Sequence, residues 1–324
     1  MRGANFQSLE LPIIRGNYIA PPALIREECR RFNMEDRNVA STQKNVLVTG
    51  ASSGIGRSIA VRLANAGWQV FAGVRSEKSA AELRTLHEAI RPLTLDITDS
   101  GQISAAKKII GEAAGANGLQ ALVNNAGIAV AAPQEHQPVE LVRRIFETNV
   151  IGHMAVTQAF LPLIRAGNGR IVFIGSGAGF IALPFFTAYA ASKFAIEGVT
   201  DSLRRELRPW HIPVINVEPG TIKTPILDKG FREAEGIFSG LPAEARERYD
   251  ASFQILRQVL DHELQAAPLP ESVAVAVQIA LDARRPKHRY PVGTEAWLAR
   301  TLRLLPTRLV DVMIATWHSS IAKK

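Results

Sequence analysis

Tyr189 and Lys193 stand four residues apart in Tyr189-Ala190-Ala191-Ser192-Lys193, with Ser176 thirteen residues upstream. On a helix an i, i+4 pair shares one face, so the lysine ammonium can stand beside the tyrosine phenol. A free phenol releases its proton only near pH ~10, too high for a base at neutral pH. A fixed positive charge favours the phenolate and predicts a lowered pKa, which brings proton transfer into range. Taken alone, the pair could equally be an aromatic packed at a helix edge with a solvated lysine. The rest of the chain decides between the two.

Asn45-Val46-Leu47-Val48-Thr49 is apolar, β-branched and bounded by glycine, and reads as a buried strand. Gly50-Ala51-Ser52-Ser53-Gly54-Ile55-Gly56 follows, then a segment with apolar positions 55, 59, 60 and 63 at helical spacing. Strand, glycine turn and helix open a βαβ unit. Gly50 suits the tight turn, Gly54 a close approach to phosphate, and Gly56 the packing of helix on strand. Free N–H groups and the positive end of the helix then face a pyrophosphate. Further strands are expected at 68–74, 90–97, 120–123, 169–174 and 212–217, separated by helices over 79–90, about 138–165, and from Tyr189 to about Leu207. Alternation over this length predicts an α/β fold with a doubly wound parallel sheet. Gly50, Asp96, Asn124, Ser176 and Pro219 all fall just after strand ends, on the edge where such sheets bind ligands.

These residues resemble the short-chain dehydrogenase/reductase family over roughly 44–230. The resemblance is carried by Thr49-Gly50-Ala51-Ser52-Ser53-Gly54-Ile55-Gly56, Asn124-Asn125-Ala126-Gly127, Asn149, Ser176, Tyr189-x-x-x-Lys193 and Pro219-Gly220. The stretch Ser202 to Trp210 is similar to the branch holding retinol, 17β-hydroxysteroid and 3-hydroxybutyrate dehydrogenases. The resemblance implies a single Rossmann-type domain and an alcohol/ketone oxidoreductase in which Tyr189 is the acid/base. It implies that Ser176 holds the substrate oxygen, Lys193 binds the nicotinamide ribose and tunes Tyr189, and Asn149 holds a water that relays protons. It further implies a cofactor surface of Gly50, Ser52, Ser53, Gly54, Ile55, Gly56, Asp96, Ile97, Asn124, Ala126, Gly127, Tyr189, Lys193, Pro219, Gly220, Thr221 and Thr224, with no metal. Two positions depart from the family pattern: Gly175, where serine is frequent, and Phe173, where asparagine is.

A carboxylate at the end of the second strand would bind the ribose diol of NAD and repel the extra phosphate of NADP. This chain has Val74 and then Arg75, whose guanidinium suits a phosphate, and Arg57 could add charge. NADP(H) is therefore expected, with NAD(H) as the alternative. The loop from Gly177 to Phe186 is almost wholly apolar, so Phe180, Phe185 and Phe186 are candidates to line a pocket for a hydrophobic alcohol, ketone or aldehyde, steroid-, retinoid- or lipid-like. The same residues could instead pack on a neighbouring helix. Residues 225–270 are expected to form a lid. Rival readings are an NAD-dependent hydroxy-acid dehydrogenase and a catalytically silent nucleotide-binding sensor or scaffold.

The net charge of +8 is concentrated at one end: residues 284–324 hold nine Lys and Arg against Glu295 and Asp311. Apolar residues from Trp297 to Trp317 interleave with them, so 284–324 reads as a basic amphipathic helical segment. It would either lie on an anionic membrane surface or close the pocket. No nucleic-acid recognition motif accompanies the charge. Cys29 is the only cysteine, which excludes an internal disulfide and points to a reducing, cytoplasmic setting, peripheral to a membrane if the basic segment binds one. Residues 1–40 read as a flexible extension, with Met34 an alternative start, and 41–283 as the catalytic domain. A homodimer or homotetramer is expected from the resemblance.

Overall fold

The computed structural model describes residues 43–321 of the chain. The expected extension over 1–40, Cys29, Met34, Lys323 and Lys324 lie outside them. Strand and helix alternate from the start: β1 (Lys44–Val48), α1 (Gly54–Asn65), β2 (Trp68–Val74), α2 (Glu77–Arg84), β3 (Ile90–Thr94), α3 (Ser100–Ala114) and β4 (Ala121–Asn124). Next come α4 (Val139–Phe146), α5 (Gly152–Ala166), β5 (Arg170–Ile174), α6 (Thr187–Glu206) and β6 (Val214–Pro219). The chain then runs through α7 (Pro225–Ser239), α8 (Ala243–Ala266), α9 (Glu271–Asp282), β7 (Arg289–Val292), α10 (Thr294–Leu302) and α11 (Thr307–Ile321).

The seven strands form one parallel sheet in the order β3-β2-β1-β4-β5-β6-β7. Strand order reverses between β1 and β4, which opens a crevice at their carboxyl ends. Central strands of such a sheet are covered on both faces and read as continuous apolar runs, as β1 and β4 do. Ile59 and Leu63 of α1, Leu83 of α2 and Val273 and Val277 of α9 cover one face. Ile103 and Ile110 of α3, Val156, Phe160 and Ile164 of α5 and Ile196 of α6 cover the other. Helix starts follow from side chains that accept orphan N–H groups: Asp99 takes Gly101 N and Gln102 N before α3, and Ser76 takes Ser79 N before α2.

The sheet has one strand more than the sequence predicts. Residues 289–292 lie within the segment expected to be helical, yet they pair with β6 from Asn216–Arg289 to Pro219–Val292. Four residues with an internal proline give no strand signal, but at a sheet edge that proline is tolerated. The expected helix over 138–165 is interrupted by a wide π turn at Glu147–Ile151, and the expected lid is the helix pair α7 and α8. Phe231, Phe238, Phe253 and Leu256 of that pair form a third apolar cluster with Ala129 to Ala131, Ile145 and Phe186.

Candidate active site

The glycine turn is built to leave backbone bare. Gly50 and Gly54 have φ of +64° and +54°, and a Cβ on Gly50 would stand 2.7 Å from Ala126 Cα. A Cβ on Gly56 would stand 2.3 Å from Gly50 O and 2.4 Å from Asn125 Nδ2. Two residues that the motifs contain, but to which sequence reasoning gave no role, hold the turn to β4. Asn125 Nδ2 donates to Thr49 O at 2.9 Å and Gly50 O at 3.1 Å, and Thr49 Oγ1 accepts from Asn125 N and Ala126 N. Ser53 precedes α1 without a side-chain cap, and the first turn carries no acid, so the orphan N–H groups there remain for an anion. Ser52 and Ile55 complete the loop, and Thr224 packs beside Gly54 from the far side of the crevice. This cradle fits a dinucleotide pyrophosphate.

Along the same edge, Asp96 Oδ1 accepts from Thr98 N and Oγ1, while the Ile97 side chain is buried against Gly152. Asn124 is also buried, and its Nδ2 donates to Thr157 Oγ1 of α5 at 2.9 Å. Pro219 ends β6, Gly220 N donates to Val292 O, and Thr221 Oγ1 donates to Glu263 Oε2 of α8. Val74 is buried in the core at 2% exposure, whereas Arg75 is exposed beyond the strand end.

Ser176 follows β5 by one residue, and its hydroxyl accepts from Ala178 N at 3.1 Å. Tyr189 and Lys193 rise from the first turns of α6, with the Lys193 ammonium 5.9 Å from the Tyr189 ring centre and donating to Ile174 O at 2.9 Å. The expected lowering of the phenol pKa is not what this geometry gives. Burial pushes Tyr189 above its ordinary value, and only a hydrogen bond with Ser176 opposes it. Burial also pushes Lys193 down to about 8, with the Glu197 carboxylate opposing.

Asn149 lies in the π turn, wholly buried. Its Oδ1 accepts from Ile128 N and its Nδ2 donates to Ile128 O and Ser192 Oγ, which in turn donates to Tyr189 O. The side chain thus straps the strand-end loop after Gly127 to the base of the Tyr189 turn. One turn on, His153 was missed by sequence reasoning, although it shares the helix face of Asn149. It is fully buried, with Nε2 2.6 Å from Ala126 O.

Of the three candidate pocket residues, Phe186 stands edge-on to Tyr189 with centroids 6.0 Å apart and packs around a closed apolar crevice, too narrow for a water, with Ala129, Ala131, Leu227, Gly230 and Phe231. Phe185 instead packs among Tyr249, Phe238 and Phe253 of the lid helices. Phe180 is buried beneath the Arg303 guanidinium, 5.7 Å from its ring centre. Ala296 and Ala299 of α10 lie against Gly177, so this helix covers the Ser176 loop.

The two departures from the family pattern have physical reasons. A Cβ at Gly175 would stand 2.6 Å from Asn216 Oδ1, and Phe173 fills core volume beside His153.

Comparison with known proteins agrees with this geometry. The model of the short chain dehydrogenase family matches residues 44–235. The chain is 33% identical to mouse retinol dehydrogenase 5 over 84% of its own length and 87% of that protein's. It is 34% identical to an NADPH-dependent 3-dehydrocapnine reductase of Ornithobacterium rhinotracheale, over 82% and 94% of the two chains. Its fold superposes on a short-chain dehydrogenase from Streptomyces avermitilis with a TM-score of 0.68 at 26% identity, covering 87% of this chain and 98% of that one. With the glycine cradle, the Ser176–Tyr189–Lys193 cluster and a family match spanning both, the chain belongs to the short-chain dehydrogenases/reductases, NAD(P)-dependent oxidoreductases acting on CH–OH groups.

Proposed function

We propose that this enzyme reduces an apolar ketone or aldehyde with NADPH, and that Tyr189 supplies the proton. The observation that carries the reading is the apolar surface around Tyr189: Phe186 stands edge-on to it, and both pack in the cluster that holds Ala129, Ala131, Leu227 and Phe231. A phenol held above its ordinary pKa keeps its proton at neutral pH, which suits a proton donor to a carbonyl oxygen better than a base. Ser176, hydrogen-bonded with Tyr189, would hold that oxygen between two donors. Lys193 would donate to the nicotinamide ribose, and Asn149 would fix the loop that follows Gly127. The cofactor supplies the hydride. Arg75, exposed beyond β2 where a carboxylate would exclude the 2′-phosphate, supports NADPH over NADH. The NADPH-dependent bacterial relative supports the same choice.

The open face of α11 supports contact with an anionic membrane surface. Val310, Ile314 and Trp317 point inward, the helix packing on α8, while Leu309, Val312 and Met313 stay outside. Seven of the sixteen large apolar side chains left exposed among the described residues lie between 297 and 313, interleaved with Arg300, Arg303 and Arg308. Apolar side chains among arginines suit a bilayer of anionic lipid, where an apolar substrate also partitions.

The experiment is turnover of NADPH and NADH by purified protein against retinal, steroid ketones, medium-chain aldehydes and small keto acids. Preference for a keto acid, or for NADH, would overturn the reading.

A further inference from the structure

Behind Lys193 lies a closed group of charges to which the proposed chemistry gives no role. Glu197 follows Lys193 by one turn of α6, and both side chains are buried, at 7% and 6% exposure. A buried carboxylate persists only where hydrogen bonds replace its water. Arg289 of β7 supplies them: Nε and one terminal nitrogen donate to Glu197 Oε2 at 3.0 and 2.9 Å, and Asn216 Nδ2 of β6 donates to Oε1. The same guanidinium donates to Asp201 Oδ1 at 3.0 Å, and Asp201 also accepts from Arg204 and Arg205. Arg289 Nε lies 3.2 Å from Glu218 Oε1 as well, yet its N–H is directed at Glu197, and neither oxygen of the wholly buried Glu218 receives a hydrogen bond. Arg300 of α10 approaches Glu218 only to 3.9 Å, and Arg303 attracts Glu197 weakly. One guanidinium thus faces three carboxyl groups.

This cluster touches the chemistry on two sides. Asn216 fills the space behind Gly175, directly under Ser176. A Cβ at Gly179 would stand 3.1 Å from Lys193 O and 3.4 Å from Glu197 Cγ, so the Ser176 loop lies against both residues. From the opposite side, Lys193 is faced by the Tyr189 ring and by His153 of α5, whose imidazole is neutral and brings no opposing charge.

We propose that Glu197, held by Arg289, is a positioning residue that keeps the buried Lys193 ammonium charged, and that Glu218 is the proton-bearing, neutral member of the cluster. Burial works against the lysine charge, and the Glu197 carboxylate is the force that opposes it. Burial and the charge of Glu197 push Glu218 up to about 8, against Arg289 and Arg300. Burial pushes Glu197 up too, but Arg289 opposes it with both hydrogen bonds and charge. Glu197 receives three hydrogen bonds and Glu218 none, so Glu197 is the member that ionises first and Glu218 keeps its proton. The idea rests on the family's use of Lys193 at the nicotinamide ribose, not on the choice of substrate or between NADPH and NADH.

The test is an NMR titration of 13C-labelled lysine and glutamate side chains in wild type, Glu197→Gln and Glu218→Gln, with NADPH affinity measured by fluorescence across the same pH range. The Lys193 midpoint, expected at about 8 in wild type, should fall by about one pH unit or more in Glu197→Gln, a tenfold weaker hold on the proton. NADPH affinity of that variant should weaken at least about fivefold more at high pH than at low pH, which a merely structural role would not produce. One glutamate resonance should titrate near 8 in wild type and be missing from Glu218→Gln, whose Lys193 midpoint should match that of wild type. Coincident Lys193 midpoints in wild type and Glu197→Gln overturn the positioning role, and a glutamate spectrum fully ionised at pH ~6 overturns the neutral Glu218. If Glu197→Gln does not fold, Glu197→Asp, which keeps a carboxylate for Arg289 but draws it back by one methylene, should lower the Lys193 midpoint in the same direction, and the wild-type glutamate titration decides in either case. A wild type that binds no NADPH at any pH would sink the cofactor reading alone, leaving the lysine titration to decide this one.

Discussion

His153 Nε2 and the Ala126 carbonyl are 2.6 Å apart, so a neutral imidazole donates into the loop that follows β4 while its other ring nitrogen is sealed in the core. Burial, helped by the nearby charge of Lys193, pushes this histidine down to about 3 from an ordinary value of 6.5. Between those values the unfolded chain binds a proton that the folded chain refuses. The stability is fully present above 6.5 and is lost as pH falls toward 3, by about 2 kcal/mol at pH ~5. Melting temperature should therefore drop between pH ~7.5 and ~5, and His153→Gln should flatten that slope. Equal slopes in the two proteins would remove His153 from the account.

Tyr189→Phe keeps the ring that meets Phe186 and removes the proton. Turnover should fall by about 10² or more, as for loss of a general acid, while NADPH binding survives. A variant that retains most of its turnover would sink the mechanism.

Arg75→Ala should lower the ratio of NADPH to NADH efficiency by about tenfold, the equivalent of roughly 1.4 kcal/mol of charge-assisted bonding. Val74 is left alone because its side chain is in the core, where a carboxylate would be unpaired. A ratio that does not move would take Arg75 out of phosphate recognition.

Leu309→Asp with Met313→Asp should abolish co-sedimentation with anionic vesicles. Both side chains are exposed, at 48% and 41%, so melting temperature and turnover of a soluble ketone should stay near wild type. Loss of fold would show instead that this face is packed, and wild type that ignores the vesicles would refute the membrane reading.

Much of the site was legible because its chemistry sits in short motifs. The spacing Gly50 to Gly56 and the pair Tyr189 and Lys193 are local, and strand alternation places them on one edge. What was not legible depends on partners far apart in sequence. Glu197 is on the same face as Lys193 and could have been flagged by the i, i+4 rule, but its partner Arg289 lies 92 residues later on a strand without strand signal. The phenol pKa divides in the same way: adjacency to a lysine can be read from spacing, whereas burial, which pushes it up, is set by the whole fold. The apolar loop 177–186 could not be divided by composition, and three phenylalanines that look alike serve a crevice, a lid and an arginine.

The position of β7 bears on synthesis. Every motif of the cofactor cradle and catalytic cluster has been made by Thr224, and six of the seven strands by Pro219. The guanidinium that balances Glu197 is only made 65 residues after that threonine. A nascent or truncated chain ending before Arg289 would leave the Glu197 carboxylate without the guanidinium that supplies two of its three hydrogen bonds. Losing one partner of a buried pair costs about 3–5 kcal/mol, a large share of the stability of an ordinary domain. Such a fragment would carry a full set of catalytic side chains and still not close around them, so the last strand acts as a completeness check on the chain.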